Sequence, residues 1–267
     1  MTLRPFELFP RETALAVHTV LTDIDDTLSL HGRLPAAAYS ALERLQEAGL
    51  RVIPVTGRPA GWCDHIARFW PVDGVIGENG AFYMWHDVKA RVLRSRHWLT
   101  TEQQAHTRQR LAQVQARILR EVPGCAVASD QFCRLYDLAI DFCEDVPALP
   151  ASAVDRIAAL MQEAGMTAKV SSIHVNGWFG DWDKLAMARL MLAERYGLDL
   201  EQEAPRMVFV GDSPNDAPMF RFFSNSVGVA NVADFGERLT DAPAFVTSRR
   251  SGEGFVEVAE LLLDAKG

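Results

Sequence analysis

Short apolar runs alternate with helical periodicity over the first third of the chain. LAVHTVLTD (15–23) predicts a buried strand whose end carries Asp23, and RVIPVTG predicts a second strand that ends at Thr56. A helix is predicted after each of these strands, and VDGVIGENGA then predicts a third strand. This β-α-β-α-β order predicts a parallel sheet with right-handed crossovers and ligand chemistry at the carboxyl ends of its strands.

The pattern changes at about Ala81. Strand candidates then come in pairs around two predicted helices, at 101–121 and 155–164, which is typical of an antiparallel sheet with helices on one face. The alternating pattern returns with a helix capped by Asp183 and with RMVFVGD, a strand that ends in Asp212. The predicted organisation is a core at 1–81, an inserted second domain at 82–179 and the rest of the core at 180–267.

We therefore predict an α/β protein, with a doubly wound, Rossmann-like parallel-sheet core and an inserted α+β cap domain. Its composition agrees, because 48% hydrophobic and 23% charged residues are typical of a globular protein. The net charge of -8 argues against a dedicated nucleic-acid binder but still allows a phosphorylated substrate. Four cysteines without a CxxC pair, no signal-peptide pattern and no long apolar stretch together predict a soluble cytoplasmic protein with reduced thiols, not bound to membranes.

Three carboxylates crowd the end of the first strand, in LTDIDDTLSL. Like charges this close raise one another's pKa unless a cation lies among them. At a strand end, Asp23 can serve as a nucleophile or metal ligand, and Asp25 can hold or accept a proton. The alternative is a simple turn that starts at Asp25, Asp26 and Thr27.

A second group of acids follows the strand RMVFVGD, in VGDSPND. Mg²⁺ prefers oxygen ligands and is usually held by one or two carboxylates. Asp212 and Asp23, at adjacent strand ends, would supply such a site, with Asp216 about one turn further on. The alternative is a helix start that is capped with or without metal, since Ser213 and Pro214 suit the first positions of a helix.

Two further features of the sequence would suit an anion-binding site. In VTGRP, Thr56 offers a hydroxyl, Gly57 lets backbone N–H groups approach, and a helix N-terminus follows. Lys184 is predicted in the first turn of a helix, where a cation is unfavourable unless a negative group is near. The alternatives are an ordinary Thr-Gly turn and a solvated surface lysine.

In order and spacing, DIDDT at 23–27, TGR at 56–58, Lys184 and GDSPND at 211–216 resemble the four motifs of the haloacid dehalogenase superfamily. The large insert and GENGA at 77–81 resemble its subfamily IIB, which has a type C2B α/β cap and includes Cof-type and sucrose-phosphate phosphatases. The resemblance covers the two core halves.

The resemblance implies a role for each matching position. Asp23 would be the nucleophile that forms an aspartyl-phosphate, and Asp25 the general acid and base. Lys184 would neutralise charge on the phosphate and the nucleophile. The phosphate would also be bound by Thr56, Gly57 and Asn215, and Mg²⁺ by Asp23, the backbone carbonyl of Asp25 and Asp212, with Asp216 supporting the metal or Lys184.

The acid at Asp25 indicates phosphate esters as substrates, because an alkoxide leaving group needs a proton whereas a halide does not. We expect a Mg-dependent phosphatase, monomeric or homodimeric, that acts on a small phosphorylated metabolite, a phosphosugar above all. A phosphosugar mutase and a non-catalytic binding protein remain as alternatives. The substrate contacts proposed on the cap and beside it are His174 and Asn176 in SSIHVNGWFGDW, and Asn79 and Glu78 in GENGA.

Overall fold

A computed structural model describes residues 3–171 and 173–267 of the chain. Its strands are β1 Arg4–Pro5, β2 Thr19–Thr22, β3 Arg51–Pro54, β4 Val75–Gly77, β5 Phe82–Asp87, β6 Val92–His97, β7 Ala126–Val127, β8 Asp137–Asp141, β9 Thr167–Val170, β10 His174–Trp178, β11 Met207–Gly211, β12 Ser226–Gly228 and β13 Phe245–Val246. Its α-helices are α1 Arg11–Ala16, α2 Ala36–Glu47, α3 Ala60–Phe69, α4 Thr101–Glu121, α5 Ala151–Glu163, α6 Lys184–Tyr196, α7 Leu200–Glu203, α8 Ala217–Phe222 and α9 Ser251–Lys266.

The central sheet is parallel, with strand order β1-β13-β12-β11-β2-β3. Strands β2 and β11 are buried along their whole length, as expected for parallel strands covered on both faces. They lie side by side, with Val210 opposite Thr22, so the residues that follow them leave the sheet at the same edge. The predicted doubly wound α/β core is confirmed.

The two faces of this sheet have separate hydrophobic clusters. Val20 of β2 belongs to a cluster with α2 and α9, whereas its neighbour Leu21 belongs to a cluster with α6 and α8. This alternation follows from the two-residue period of a strand. The strand predicted over residues 15–23 is shorter than expected, because Leu15 and Ala16 complete α1.

A second, antiparallel sheet lies between the core and the insert, with order β4-β5-β6. It adjoins the central sheet through a bridge between Val55 and Ile76, and Tyr83 donates its hydroxyl hydrogen to Glu194 of α6 at 2.7 Å. Residues 82–97 were predicted to open the inserted domain, but they pair with core strand β4 instead. We therefore propose that the insert begins after His97; its end at 179 stays a prediction.

The cap has its own antiparallel sheet, with order β7-β8-β10-β9. Helices α4 and α5 pack on it through an apolar cluster that includes Leu111, Ile118 and Ile157. Thr100 and Gln103 form a capping box at the start of α4, which occupies the range predicted for it. The predicted strand or hairpin after α5 is the hairpin β9-β10; Ser172 within it lies outside the described residues.

No helix in the described ranges is long and apolar enough to cross a membrane. No disulfide joins any of the four cysteines, all of which lie within those ranges.

Candidate active site

Three buried carboxylates meet at the edge of the central sheet where β2 and β11 end. Asp23 follows β2 and donates its backbone N–H to Val210 at 2.8 Å, which ties the two strand ends together. Asp212 follows β11, and Asp216 lies in the short turn after it. One side-chain oxygen from each of the three lies within 4.8 Å of the others.

Lys184 provides the positive charge among these acids. It is the first residue of α6, where Asp183 caps the helix by accepting the N–H of Ala186 at 2.7 Å. Its Nζ donates to Asp23 Oδ1 at 2.9 Å and to Asp216 Oδ1 at 2.7 Å. Burial would lower the pKa of Lys184, but the two carboxylates outweigh burial and raise it, so the side chain is an ammonium. We call Asp23, Lys184, Asp212 and Asp216 the acid–lysine cluster.

The cluster contains more negative than positive charge. Burial, reinforced by Asp216 and Asp25, raises the pKa of Asp23 to about 8 although Lys184 opposes the change. Burial likewise raises the pKa of Asp212 well above its ordinary value, with Asp23 the next contributor. An added cation would relieve this repulsion, and the donors are all oxygens, the ligands that Mg²⁺ prefers. The residues present therefore fit a magnesium ion.

Asp212 and Asp216 have different hydrogen-bond partners. Asp212 accepts hydrogen bonds from the Thr27 hydroxyl and from the Asn231 side-chain amide, both at 3.2 Å. Asp216 has both oxygens engaged, because Oδ1 binds Lys184 and Oδ2 accepts the backbone N–H of Asp212 at 3.0 Å. Asp216 thus holds the lysine. The two Asp212 oxygens accept only longer hydrogen bonds from neutral groups, which leaves Asp212 the better placed of the two to bind a cation.

Asn231 was missed by the sequence analysis. Besides Asp212, its amide nitrogen donates to the carbonyl of Asp26 at 3.0 Å, and its oxygen accepts the N–H of Ser251 at 2.8 Å. It therefore joins the ends of β2 and β11 to the start of α9. Asn231 ends the stretch SVGVAN, shortly after strand β12. This position near a strand end was the sequence feature that could have identified it as a site residue.

The loop after β3 brings Thr56 and Gly57 to the same edge of the sheet. Thr56 is fully buried, and its hydroxyl accepts the N–H of Arg58 at 3.0 Å. A Cβ on Gly57 would lie 3.2 Å from the Asn79 side chain, so little space for a larger residue exists there. Asn215, in the turn after β11, accepts the Ser213 hydroxyl hydrogen at 2.9 Å.

The three acids of DIDD separate in the structure. Asp23 belongs to the acid–lysine cluster, and Asp26 lies in a turn with a φ of 54°, where its backbone N–H binds the Ser29 hydroxyl. Asp25 lies beside a cavity that Asp23 also lines, and Arg58 Nε donates to both of its carboxylate oxygens at 3.0 and 3.1 Å. Arg58 was noted in the sequence only as part of a helix start.

The cap covers this edge of the sheet with the polar side chains of Arg134, His174 and Asn176, which we call the cap face. A narrow cavity of about 10 Å³ lies between it and the core. Its lining comprises Asp23, Asp25, Gly57, Arg58, Ser213 and Asn215 from the core, and Arg134, Ser171, Ile173, His174 and Asn176 from the cap. A second cavity of about 270 Å³ adjoins it and shares Asp25, Arg58 and Ile173.

Side chains on the cap face are already hydrogen-bonded to acids. Asn176 donates to Asp137 Oδ2 at 2.8 Å, and His174 Nε2 lies 2.8 Å from Glu144 Oε2. The Arg134 guanidinium binds Asp137 at 3.1 Å and the backbone carbonyl of Gly57 at 2.9 Å. Arg134 thereby links the cap directly to the loop after β3, a contact that the sequence did not reveal.

Two of the predicted substrate contacts do not reach either cavity. Glu78 is fully buried, and its carboxylate accepts backbone N–H groups of Ala60, Leu135, Tyr136 and Asp137 at 2.6 to 3.2 Å. It holds the cap chain against the start of α3, so we withdraw it as a substrate contact. The Asn79 side chain packs on Gly57, behind the narrow cavity.

The fold and the sequence were compared with known proteins. The haloacid dehalogenase-like hydrolase family matches residues 20–121. A phosphoglycolate phosphatase of Pyrobaculum neutrophilum is 29% identical over 248 residues, which are 91% of this chain and 95% of that protein.

Two solved structures show the same fold. A Thermoplasma acidophilum protein has a TM-score of 0.69 and 17% identity, over 92% of this chain and 99% of its own. A sugar phosphatase of haloacid dehalogenase subclass IIB has a TM-score of 0.61 and 13% identity, over 91% and 98%. Over residues 20–121 this chain therefore matches the haloacid dehalogenase-like hydrolase family, and its fold is that of the two solved structures.

Proposed function

We propose that this phosphatase hydrolyses monoesters of small phosphorylated metabolites through an aspartyl-phosphate on Asp23, with Mg²⁺ as cofactor. The observation that carries the proposal is the acid–lysine cluster, which has an excess of buried carboxylates beside a cavity that the cap covers. Phosphoryl transfer requires mainly positioning and charge neutralisation, and this cluster supplies both.

The metal site would be formed by Asp23, Asp212 and the backbone carbonyl of Asp25. A bound Mg²⁺ would neutralise charge on the nucleophile and on the phosphoryl oxygens. Asp216 would act by holding Lys184, since both of its oxygens are engaged by the lysine and by backbone N–H groups.

The protein's own residues would carry two transfers. In the first, the Asp23 carboxylate forms a bond to phosphorus while the bond to the leaving oxygen breaks, and Asp25 gives that oxygen a proton. In the second, Asp25 takes a proton from water as the water attacks phosphorus, which releases phosphate and restores Asp23. Lys184, Thr56, Gly57 and Asn215 would bind the phosphoryl oxygens throughout.

The motifs and the subclass favour a phosphosugar. 2-Phosphoglycolate is a second candidate, favoured by the relatives named phosphoglycolate phosphatase that span most of this chain. The cytoplasmic location and the monomeric or homodimeric state stay predictions.

A phosphate-release assay tests the function. Purified protein with Mg²⁺ should release phosphate from some members of a panel of phosphosugars and 2-phosphoglycolate, and EDTA should abolish the release. Phosphorus NMR would identify a mutase by an isomeric phosphosugar without free phosphate. No release or isomerisation across the panel would contradict the proposal.

The metal site has a test independent of activity. Mg²⁺ should raise the melting temperature of the wild-type protein, because a ligand that binds only the folded state stabilises it. The increase should be lost in Asp212→Asn, which removes a proposed ligand, and kept in Asp241→Asn, a control carboxylate that pairs with Arg221 elsewhere.

A further inference from the structure

The guanidinium of Arg58 joins the core and the cap. Its Nε holds both oxygens of Asp25 in the core, and its Nη2 donates to Glu144 Oε1 of the cap at 3.0 Å. Nη1 lies 3.4 Å from Asp130, which is held more closely by Arg134 at 3.0 Å. Glu144 is therefore the main partner that the cap supplies to Arg58.

Both side chains are held in place by further contacts. Arg58 is 5% exposed, and its guanidinium lies over the Trp62 ring, 4.4 Å from the centroid. Glu144 follows β8, where Asp141 accepts its backbone N–H at 2.7 Å. The second oxygen of Glu144 lies 2.8 Å from His174 Nε2. The orientation of Arg58 thus depends on residues of the cap.

We propose that Glu144 is a positioning residue that orients Asp25 through Arg58, so that seating the cap over the core aligns the general acid. The inference rests on the proposed function, because it assigns proton transfer to Asp25. An arginine that binds both oxygens of a carboxylate fixes the plane of that carboxylate. A single hydrogen bond would allow the carboxylate to rotate. Small misplacements of a reacting group have large effects on rate.

The inference makes a prediction about leaving groups. An alkoxide must receive a proton as its bond to phosphorus breaks, whereas p-nitrophenolate is stable enough to leave without one. Loss of the Glu144 contact should therefore slow phosphoryl transfer from alkyl phosphates to Asp23 and have little effect on the transfer from p-nitrophenyl phosphate. The later hydrolysis of the aspartyl-phosphate also uses Asp25 and is common to both esters, so the first transfer is the step to compare. A general loss of structure would slow both.

The test uses the full-length protein with Mg²⁺ and three substrates: p-nitrophenyl phosphate, 2-phosphoglycolate and glucose 6-phosphate. The variants are Glu144→Ala, Arg58→Ala and the double variant, with Glu163→Ala as a matched control. Glu163 is also a cap carboxylate paired with arginines, Arg117 and Arg156, but it lines neither cavity. Melting temperatures show whether each variant is folded.

We expect Glu144→Ala to lower the single-turnover rate of alcohol release from the alkyl ester that the wild type cleaves by about tenfold, and Arg58→Ala by about 100-fold. For p-nitrophenyl phosphate, the single-turnover rate of p-nitrophenolate release should change by less than about threefold, since the proton from Asp25 matters little in that step. The double variant should be no slower than Arg58→Ala alone, because Glu144 acts through Arg58. The control should resemble the wild type.

Equal loss on both classes of ester, no loss at all, or independent effects of the two substitutions would overturn the inference. Each of these results still requires an active wild-type enzyme. A wild-type protein that hydrolyses none of the three esters, nor any of the wider panel, would instead contradict the proposed function. The two failures are therefore distinguishable.

Discussion

The core and cap sides of the narrow cavity differ in charge balance. In the acid–lysine cluster, three carboxylates share one ammonium, which pairs with Asp23 and Asp216, so a bound cation would relieve the remaining repulsion. On the cap face, Asp130 and Asp137 are each paired directly with Arg134, and Asn176 is bound to Asp137. The core side can therefore attract a metal and a phosphoryl group, whereas the cap side offers mainly hydrogen bonds for selection.

The two sides also differ in how they are built. The core residues lie in loops after parallel strands, where backbone N–H groups and side chains converge at one edge of the sheet. His174 and Asn176 lie on β10, where alternate residues point to the same face of the cap sheet. We infer that the chemistry depends on the core side and that substrate choice depends on the cap face. Four substitutions test this comparison.

The largest effect is expected at the core side, for Asp23→Asn. An amide cannot form the aspartyl-phosphate, so phosphate release should fall by at least about 10³-fold. Asp26→Asn is the matched control, since Asp26 lies in the adjacent turn and Asn tolerates its positive φ. Unchanged activity in Asp23→Asn would show that the nucleophile is misassigned.

Glu78→Gln should have the largest effect on stability. The new amide would direct N–H groups at backbone donors that now share the buried carboxylate, which should lower the free energy of unfolding by about 2–4 kcal/mol. Urea denaturation measures the change, with the exposed Glu163→Gln as a control. A loss no greater than that of the control would show that Glu78 does not hold the cap chain.

Asn176→Ala should affect substrate binding rather than chemistry. If the cap face selects substrates, KM should rise by about tenfold while kcat changes little, because an interaction made equally in the ground state and transition state is lost. Glu163→Ala, on α5 and outside the lining of both cavities, is the control. A fall in kcat as large as that of Asp23→Asn would show that Asn176 contributes to the chemistry, and would contradict the division between a catalytic core side and a selective cap face.

The smallest effect concerns pH and stability. The hydrogen bond with His174, followed by the charge of Arg58, lowers the pKa of Glu144 from 4.5 to about 2. The stabilisation is therefore present above the unfolded-state pKa and is lost as the pH falls from about 4.5 toward 2. Because Glu144 is half-exposed, solvent screens its pairing, so Glu144→Gln should be less stable by only about 1 kcal/mol at pH 7 and should approach the wild type near pH 2. A difference that does not change with pH would contradict this origin.

The sequence by itself determined the core and most of its side of the cavity. Apolar β-branched runs that end in acids are local patterns, and parallel strands bring their carboxyl ends together by topology. Asp23 and Asp212 could therefore be assigned to one place, whereas Lys184, 161 residues from Asp23, was added through the family resemblance. The motif order added the family and the expected roles.

The tertiary structure decided how the cap meets the core. Arg58 and Glu144 are 86 residues apart, and Glu78 binds N–H groups 57 to 59 residues away. Neither pairing produces a periodic pattern in the sequence, because each depends on how the cap packs against the core. The same reason explains why the sequence placed the boundary at residue 82, since hairpin β5-β6 has strand character in either domain and only its pairing with β4 favours the core.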